Sequence, residues 1–382
     1  MIQLVFVCST RDFHAIDWYK SAKKICKLKP LILTDSKSSE GFKNLVNDKN
    51  TVFDLFIIDK FLFKKMSALG NIWRNIIKII FLPFQIYILK NFSKRNPDYI
   101  YYAHSMYYMW LCHFAKVKFI GTPQGSEILI RTYKSTIYKL FSAISIQSSI
   151  FTTCDSKKMA RRIYEISKKY PYILQNGVDT NLIDKINKQN GNNLKRKNEI
   201  VSFRGLSSLY RTKDIFKARE FFKETSEIPI RLIYPFYENS YRKRIFPLLK
   251  NFDNDIGKIS KNKLLKEFTK YLLYISIPAS DSSPRSVYEC VLSGGIVAIT
   301  REEYYEDLPK RIKDRIIVID LKDKDWLLKS IEKAKSLNSK KFNITNINLN
   351  RFDQQYSFSI VYEKLKLHLK SRNLSSNNKS FL

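Results

Sequence analysis

Five cysteines in 382 residues are too few for a disulfide framework. Cys8, Cys26, Cys112, Cys154 and Cys290 are odd in number and far apart. None forms a C-x-x-C or a Cys/His cluster at zinc-ligand spacing. A reduced, cytoplasmic protein is the simplest reading. Glycine is scarce as well, at 10 residues, which excludes a collagen-like chain. No run reaches ~18 uninterrupted apolar residues, so the sequence predicts no transmembrane helix. The opening MIQLVFVCSTRDF lacks the basic flank and the length of a signal peptide and reads as a buried first strand. Neither a Ser-His-Asp nor a Cys-His set stands out, and neither a metal nor a resident cofactor is expected. Acid is the scarce charge: 35 Asp+Glu face 68 Lys+Arg, a net +33.

What is abundant is apolar and aromatic surface, at 44% and 14% of residues. A chain with that much apolar surface collapses into cores and is not disordered. The length suits two or three domains. The charge asks for an anionic partner: nucleic acid, a lipid surface or phosphorylated ligands. It forms no tail, because residues 1–180 hold 28 bases and 12 acids, leaving 40 and 23 for the rest. A composition rich in Lys, Asn, Ile and Tyr also raises the charge whatever the function. Residues 61–92, FLFKKMSALGNIWRNIIKIIFLPFQIYILKNF, are apolar and basic with no acid at all. Such a segment suits an anionic bilayer interface, at the inner face of the cytoplasmic membrane. A plain core helix is the other reading.

Short apolar runs alternate with helical patterns. Strands are read at 2–8, 31–34, 54–58, 98–104, 118–123, 149–155 and 171–179, with helices between them. NKQNGNNLKRKN (187–198) is polar and reads as a linker. Beyond it strands recur at 199–205, 230–236, 271–278, 296–300 and 316–319, and the tail 356–371 reads as a helix. The alternation predicts an α/β chain of two doubly wound Rossmann-like domains. The boundaries read from the sequence are 1–185, with the C-terminal helix 355–382 returning to it, and 186–354. Ligands in such folds bind beyond the carboxyl ends of the strands.

The segment 276–297, SIPASDSSPRSVYECVLSGGIV, is the richest in chemistry. A buried strand enters S-D-S-S-P, a helix begins near Pro284, and Gly294-Gly295 ends it. Free N–H groups at that start can bind hydroxyl or phosphate oxygens. Asp281 and Glu289 stand eight residues apart, so both carboxylates can line one cleft as acceptors for sugar hydroxyls. A cap and a solvated face would explain them equally. Arg204 follows a strand, with Arg211 and Lys213 close behind; cations there make a diphosphate cradle.

Asp281…Glu289-Cys290-Val291-Leu292-Ser293-Gly294-Gly295 resembles the carboxylate-x7-Glu-A-x-A-x-G signature of retaining GT-B glycosyltransferases of sequence family 4. Asp281 stands for the usual first Glu, and Cys290 for an Ala. Asn176-Gly177-Val178-Asp179 resembles the turn that closes the family's first domain. SIFTTCDSKKMAR (149–161) resembles the strand and helix before it, and VSFRGL (201–206) the strand that opens the second domain. The resemblance spans about residues 98–320 and implies the GT-B fold, two Rossmann-like domains facing across a cleft. It implies sugar transfer from a nucleotide-sugar to a glycan or lipid-linked glycan, in bacterial surface polysaccharide biosynthesis.

By that resemblance Arg204, with Lys213 or Arg211, stabilises the departing diphosphate, and Asp281 contacts the transferred sugar. Glu289 binds the ribose, and Ser282, Ser283, Pro284 and Arg285 bind sugar hydroxyls or phosphate. Ile259 meets the base, and Asn176 belongs to the donor-side turn. On the acceptor side stand His104, at a strand end, and the loop Gln124, Gly125 and Glu127. Gln124 replaces a His, and Glu127 an Asp. Two other classes remain open at this stage: a basic nucleic-acid-binding protein, and a non-catalytic sugar-binding module of the same fold.

Overall fold

The computed structural model describes residues 1–43, 45, 50–63, 68–190, 196–339 and 348–377. It divides into two compact units. The first comprises Met1–Phe63, Ile72–Gly177 and Asn350–Leu382; the second comprises Lys64–Asn71 and Val178–Leu349.

In the first unit, five parallel strands stand in the order β3-β2-β1-β4-β5. They are β1 (Leu4–Val7), β2 (Leu31–Thr34), β3 (Val52–Asp54), β4 (Ile100–His104) and β5 (Phe119–Thr122). A two-stranded pair follows, β6 (Thr153–Cys154) with β7 (Tyr172–Ile173), joined to β5 by a bridge from Thr152 to Gly121. Period-two alternation sends the strand side chains to opposite faces. Leu4, Phe6, Tyr102 and Ile120 meet α1 (Phe13–Ile25) on one face. Val5, Val7, Tyr101, Ala103 and Phe119 meet a long helix, α2 (Ala68–Arg95), and α3 (Met106–Phe114) on the other. Also on that second face are α4 (Thr136–Ser148) and α5 (Lys157–Ser167). The first face also receives the last helix of the chain. Phe358, Val361, Tyr362 and Leu365 are buried there, with Phe358 edge-on to Trp18 at 5.6 Å. Gly177, at φ +69, turns the chain where a Cβ would lie 2.5 Å from the Gln354 backbone, so no other residue fits.

The second unit begins with α6 (Thr180–Asn190) and carries six parallel strands in the order β10-β9-β8-β11-β12-β13. They are β8 (Lys197–Ser202), β9 (Ile230–Ile233), β10 (Asn254–Gly257), β11 (Tyr271–Ser276), β12 (Val297–Thr300) and β13 (Ile316–Ile319). Renumbered within the unit this order is 3-2-1-4-5-6, the doubly wound arrangement. The helices that matter below are α7 (Thr212–Arg219), α8 (Lys261–Glu267), α9 (Arg285–Leu292) and α10 (Trp326–Asn338); the chain's last helix, α11, spans Gln354–Asn377.

Several boundaries differ from the sequence reading. The strand expected at 54–58 occupies Val52–Asp54, because Phe56 at φ +47 breaks the extended backbone. The strand expected over 171–179 is two residues long, Tyr172–Ile173. The first part of the expected linker is helical, to Asn190; residues 191–195 lie outside the described residues, and Lys197 already pairs in the sheet. The sequence reading has no strand at Asn254–Gly257, where β10 forms. These residues form an edge strand, NDIG, with no apolar alternation to reveal it. Of the acid-free segment 61–92, residues 64–67 lie outside the described residues, as do 378–382 of the C-terminal helix.

The expectation of no membrane-length helix also needs correction. Ile72–Arg95 is long and apolar enough to cross a membrane by length and composition, since Lys78 and Pro83 interrupt the run without ending the helix. One side of it packs on the sheet, with Ile77 and Leu89 buried. Buried Gln85 donates to the carbonyls of Leu55 (3.0 Å) and Phe56 (3.2 Å).

Candidate functional site

In each unit, the two central strands leave their carboxyl ends at the point where the strand order reverses. Crossover connections run to opposite sides there, which leaves a crevice for a ligand. Both positions hold an aspartate facing a base.

In the second unit the pair is Arg204, two residues past β8, and Asp281, five past β11. They are 77 residues apart in sequence and 2.8 Å apart in space. The other terminal nitrogen of Arg204 donates to Ser286 at the start of α9 (3.0 Å) and to Ser276 at the end of β11 (3.4 Å). The Tyr210 ring lies 5.1 Å from the guanidinium carbon. Burial by itself would lower the Arg204 pKa. Asp281, Tyr210 and Tyr304 outweigh it and hold the pKa above its ordinary value, so the cation is secure. Both side chains of the pair remain 14% exposed, so the site is walled but not sealed.

Asp281 was expected to receive hydroxyls of a sugar. Here one oxygen takes Arg204, and the other accepts the Ser282 N–H at 3.0 Å. Ser283 hydrogen-bonds Tyr288 (3.1 Å), and Pro284 is the N-cap of α9, a position from which no side chain caps the helix. Arg285 opens the helix. Glu289, one further turn along α9, is nearly buried and pairs with Lys261 at 2.8 Å. Lys261 heads α8 just after Ile259 and the Ser260 cap. Asp281 and Glu289 are thus each matched to a separate base.

Arg211 and Lys213 both sit at the head of α7, after the loop and 3-10 turn (Ser208–Tyr210) that follow β8. Arg211 takes a left-handed conformation (φ +53), and the Lys213 N–H donates to Tyr241 (3.0 Å). Neither side chain has an ion pair among the described residues, and Lys213 is exposed.

In the first unit the pair is Asp12, the N-cap of α1, and His104, at the end of β4. His104 Nδ1 lies 3.0 Å from Asp12 Oδ2. The Gln124 amide donates to the same oxygen at 2.5 Å. Burial alone would raise the Asp12 carboxyl; facing His104, with His14 beside it, drives it well below the carboxylate range. Gly125 begins a helical segment that widens to a π-turn over Glu127–Arg131. Glu127, read as an acceptor-side group, instead accepts from the backbone N–H of Met106 (2.8 Å) and Gln124 (2.9 Å). Burial raises its pKa against those bonds. Both of those bonds fall on one oxygen, Oε2, which ties the loop to the start of α3. Asn176, expected on the donor side, also belongs to the first unit, where its carbonyl accepts from the Trp18 indole at 3.1 Å.

Sequence reasoning missed Asp12, Lys261, Ser276, Ser286 and Tyr210. Asp12 carried a signal, a helix N-cap just past the first strand. The others become legible only when the strands pair. It also passed over Asp253-Asn254-Asp255, which has the spacing of a metal-binding D-x-D. Asp253 is taken by Arg219 and Asp255 by Arg242 (2.9 Å) and Tyr234 (3.0 Å). Among the described residues no group of three or more His, Cys, Asp or Glu gathers as a metal site. The thiols of Cys8, Cys112, Cys154 and Cys290 are pushed upward by burial, which makes them poor nucleophiles.

Asp12 has a counterpart in Asp59, whose carboxylate takes the Lys37 N–H (2.6 Å), the Ser38 N–H (2.8 Å), Ser36 (2.8 Å) and Arg11 (3.1 Å). Burial raises its pKa, but those donors lower it further, to a net depression. For both groups the unfolded chain binds protons more readily than the folded one. Their stabilisation is full above the unfolded carboxylate pKa of about 4 and is lost as pH falls through and below it. Asp59→Asn should therefore lower the melting temperature near neutral pH and flatten its fall on acidification. A variant whose acid limb parallels that of the parent would contradict this.

No protein-family model matches the sequence, and no curated protein matches it. Solved structures do. The chain is similar to Anabaena Alr3699/HepE, solved in complex with UDP, at 14% identity and a TM-score of 0.67, over 96% of this chain and 100% of that one. It is similar to the sucrose-phosphate synthase of Thermosynechococcus elongatus at 9% identity and a TM-score of 0.72, over 97% and 100%. The trehalose-6-phosphate synthase OtsA gives 11% identity and 0.63, over 99% of both chains. Identities this low establish the fold alone. That fold is GT-B, with two Rossmann-like domains.

Proposed function

We propose that this protein is a glycosyltransferase. It moves a sugar, with retention, from a nucleotide-sugar to a glycan or lipid-linked glycan, in assembly of a bacterial surface polysaccharide. One observation carries the reading: an arginine locked at the strand-order reversal of a 3-2-1-4-5-6 sheet by Asp281, Ser276 and Ser286, beside the N-terminus of α9. A cation and helix N-terminus so placed suit a diphosphate leaving group. The UDP-bound HepE structure and another of it with UDP and glucose share this fold and support the choice of donor.

The roles follow from the geometry. Arg204 meets the charge that develops on the diphosphate as the glycosidic bond to the sugar breaks. Asp281 positions it. Arg211 or Lys213, both uncommitted to ion pairs among the described residues, supplies a second cation from α7. Glu289 accepts ribose hydroxyls, with Lys261 paired to it at 2.8 Å. In the first unit, His104 and Asp12 form the group suited to orient an acceptor hydroxyl.

A thermal-shift screen with UDP, GDP, ADP, CMP and a mixed oligonucleotide tests the reading. One nucleoside diphosphate should stabilise the protein; saturation 100-fold above its dissociation constant adds about 2.7 kcal/mol. Stabilisation by the oligonucleotide alone would move the protein to the nucleic-acid-binding class. Donor binding without turnover would move it to the sugar-binding modules.

A further inference from the structure

The first unit has one unusual surface. On α2, Ile72, Ile76, Ile79, Ile80, Phe84 and Tyr87 are all exposed, Ile79 at 65% and Tyr87 at 66%. Their spacing places them on one stripe, opposite the buried Ile77, Gln85 and Leu89. Exposed Lys90 and Lys94 continue that stripe at the helix end. A second patch lies on α4 and the turn before it: Tyr133, Ile137 (69% exposed) and Leu140, among exposed Arg131, Lys134 and Lys139.

The two patches share a side of the molecule. α2 and α4 both cover the face of the sheet that carries Val5, Val7, Tyr101 and Phe119. Between them lies α3, whose Trp110 touches both Tyr107 (6.4 Å) and Tyr138 (5.0 Å). Tyr107 in turn donates to the Lys78 carbonyl and to Gln85 of α2. The charge of the two segments is one-sided as well. The chain has no acid between Asp59 and Asp98, and none between Glu127 and Asp155. The helices these stretches carry, α2 and α4, are far apart in sequence, and the fold sets both on one face of the sheet.

We infer that this face is a docking surface for an anionic lipid bilayer, entered by α2 and α4 together. Apolar side chains on two acid-free segments, with the neighbouring Glu165 neutralised by Arg162 (3.0 Å) where that base stacks on Tyr133, match an interface in which aliphatic groups sink below anionic headgroups. A protein partner would call for some acids to match its own bases, and a spanning helix could not keep Gln85 bonded to Leu55 and Phe56 on the sheet. The helix therefore lies along the membrane. The inference does not depend on the nucleotide-sugar reading, since vesicle binding is measured without any donor.

The experiment is flotation of the full chain with vesicles of phosphatidylcholine, alone or mixed equally with phosphatidylglycerol. The protein should float with the mixed vesicles at low salt, stay down with the neutral ones, and detach at high salt or in alkaline carbonate. Ile79→Glu and Ile137→Glu should each weaken flotation at least tenfold while leaving the circular dichroism and melting temperature unchanged. Lys90→Gln should weaken it about fivefold. Failure to float with anionic vesicles overturns the inference. So does equal flotation with neutral vesicles, or loss on α2 substitution with none on α4. Resistance to carbonate would overturn the interfacial placement in favour of a spanning helix. Concentration-dependent self-association abolished by the same substitutions, without flotation, would assign the face to a second copy of the chain.

Discussion

Arg204→Ala should cut turnover about 10²–10³-fold, the usual cost of removing one charge-stabilising donor from a transition state. The stabilisation conferred by the nucleoside diphosphate should shrink with it. The reason is geometric. Arg204 is the base whose guanidinium is tied at once to β11, to its following turn and to the start of α9. Such a cation needs little reorganisation when diphosphate charge appears. Arg204→Lys separates the contributions. It keeps the charge but loses the planar fork, so Asp281 and Ser286 cannot both be held, and activity should fall between parent and alanine variant. Asp281→Asn should lower turnover while sparing nucleotide affinity more than Arg204→Ala does, because it disturbs the aim of the guanidinium without deleting it. The melting temperatures of all three report whether the fold survives. Near-normal turnover in a folded Arg204→Ala protein would remove the diphosphate role from this residue.

The largest stability effect is expected at Asp253→Ala. Asp253 accepts both contacts from Arg219 Nη1, at 2.6 and 2.7 Å, and also the N–H groups of Ile230 (2.7 Å) and Lys250 (2.8 Å). Its side chain is wholly buried and that of Arg219 nearly so. Removing the carboxylate leaves the buried guanidinium only the half-exposed Glu220 (3.0 Å) and the Leu248 carbonyl (3.3 Å), and unpairs two amides. A cost of about 3–5 kcal/mol follows, read as a drop in the urea midpoint of the second unit at constant slope. Arg219→Met with Asp253→Ala should cost less than the sum of the two single changes, because the stranded charge has gone. A single-variant loss below about 1 kcal/mol would show that the pair is hydrated.

How much of this was legible beforehand depends on the range of the interactions concerned. Apolar runs such as LVFV (4–7), YLLYIS (271–276) and VAIT (297–300) declare central parallel strands, because strands covered on both faces must be apolar throughout. The turn and helix at 281–295 were equally readable, since Pro284 and Gly294 act on their own neighbours: Pro284 caps the helix, and Gly294 leaves it at φ +91. Edge strand NDIG was not readable, as an edge needs no apolar pattern. Nor was the end of the strand near residue 54, which depends on a left-handed Phe56.

The sequence by itself determined the alternating α/β plan, the two-unit count, the scarcity of acid and the nearness of Arg204, Asp281 and His104 to strand ends. Tertiary structure decided which of them meet. Asp12 finds His104 across 92 residues, Arg204 finds Asp281 across 77, and Glu289 finds Lys261 across 28. It also decided that two acid-free segments share one face. Local patterning is written in neighbouring residues, whereas these pairings follow from strand order, and strand order is settled by how whole βα units bury their apolar faces against one another.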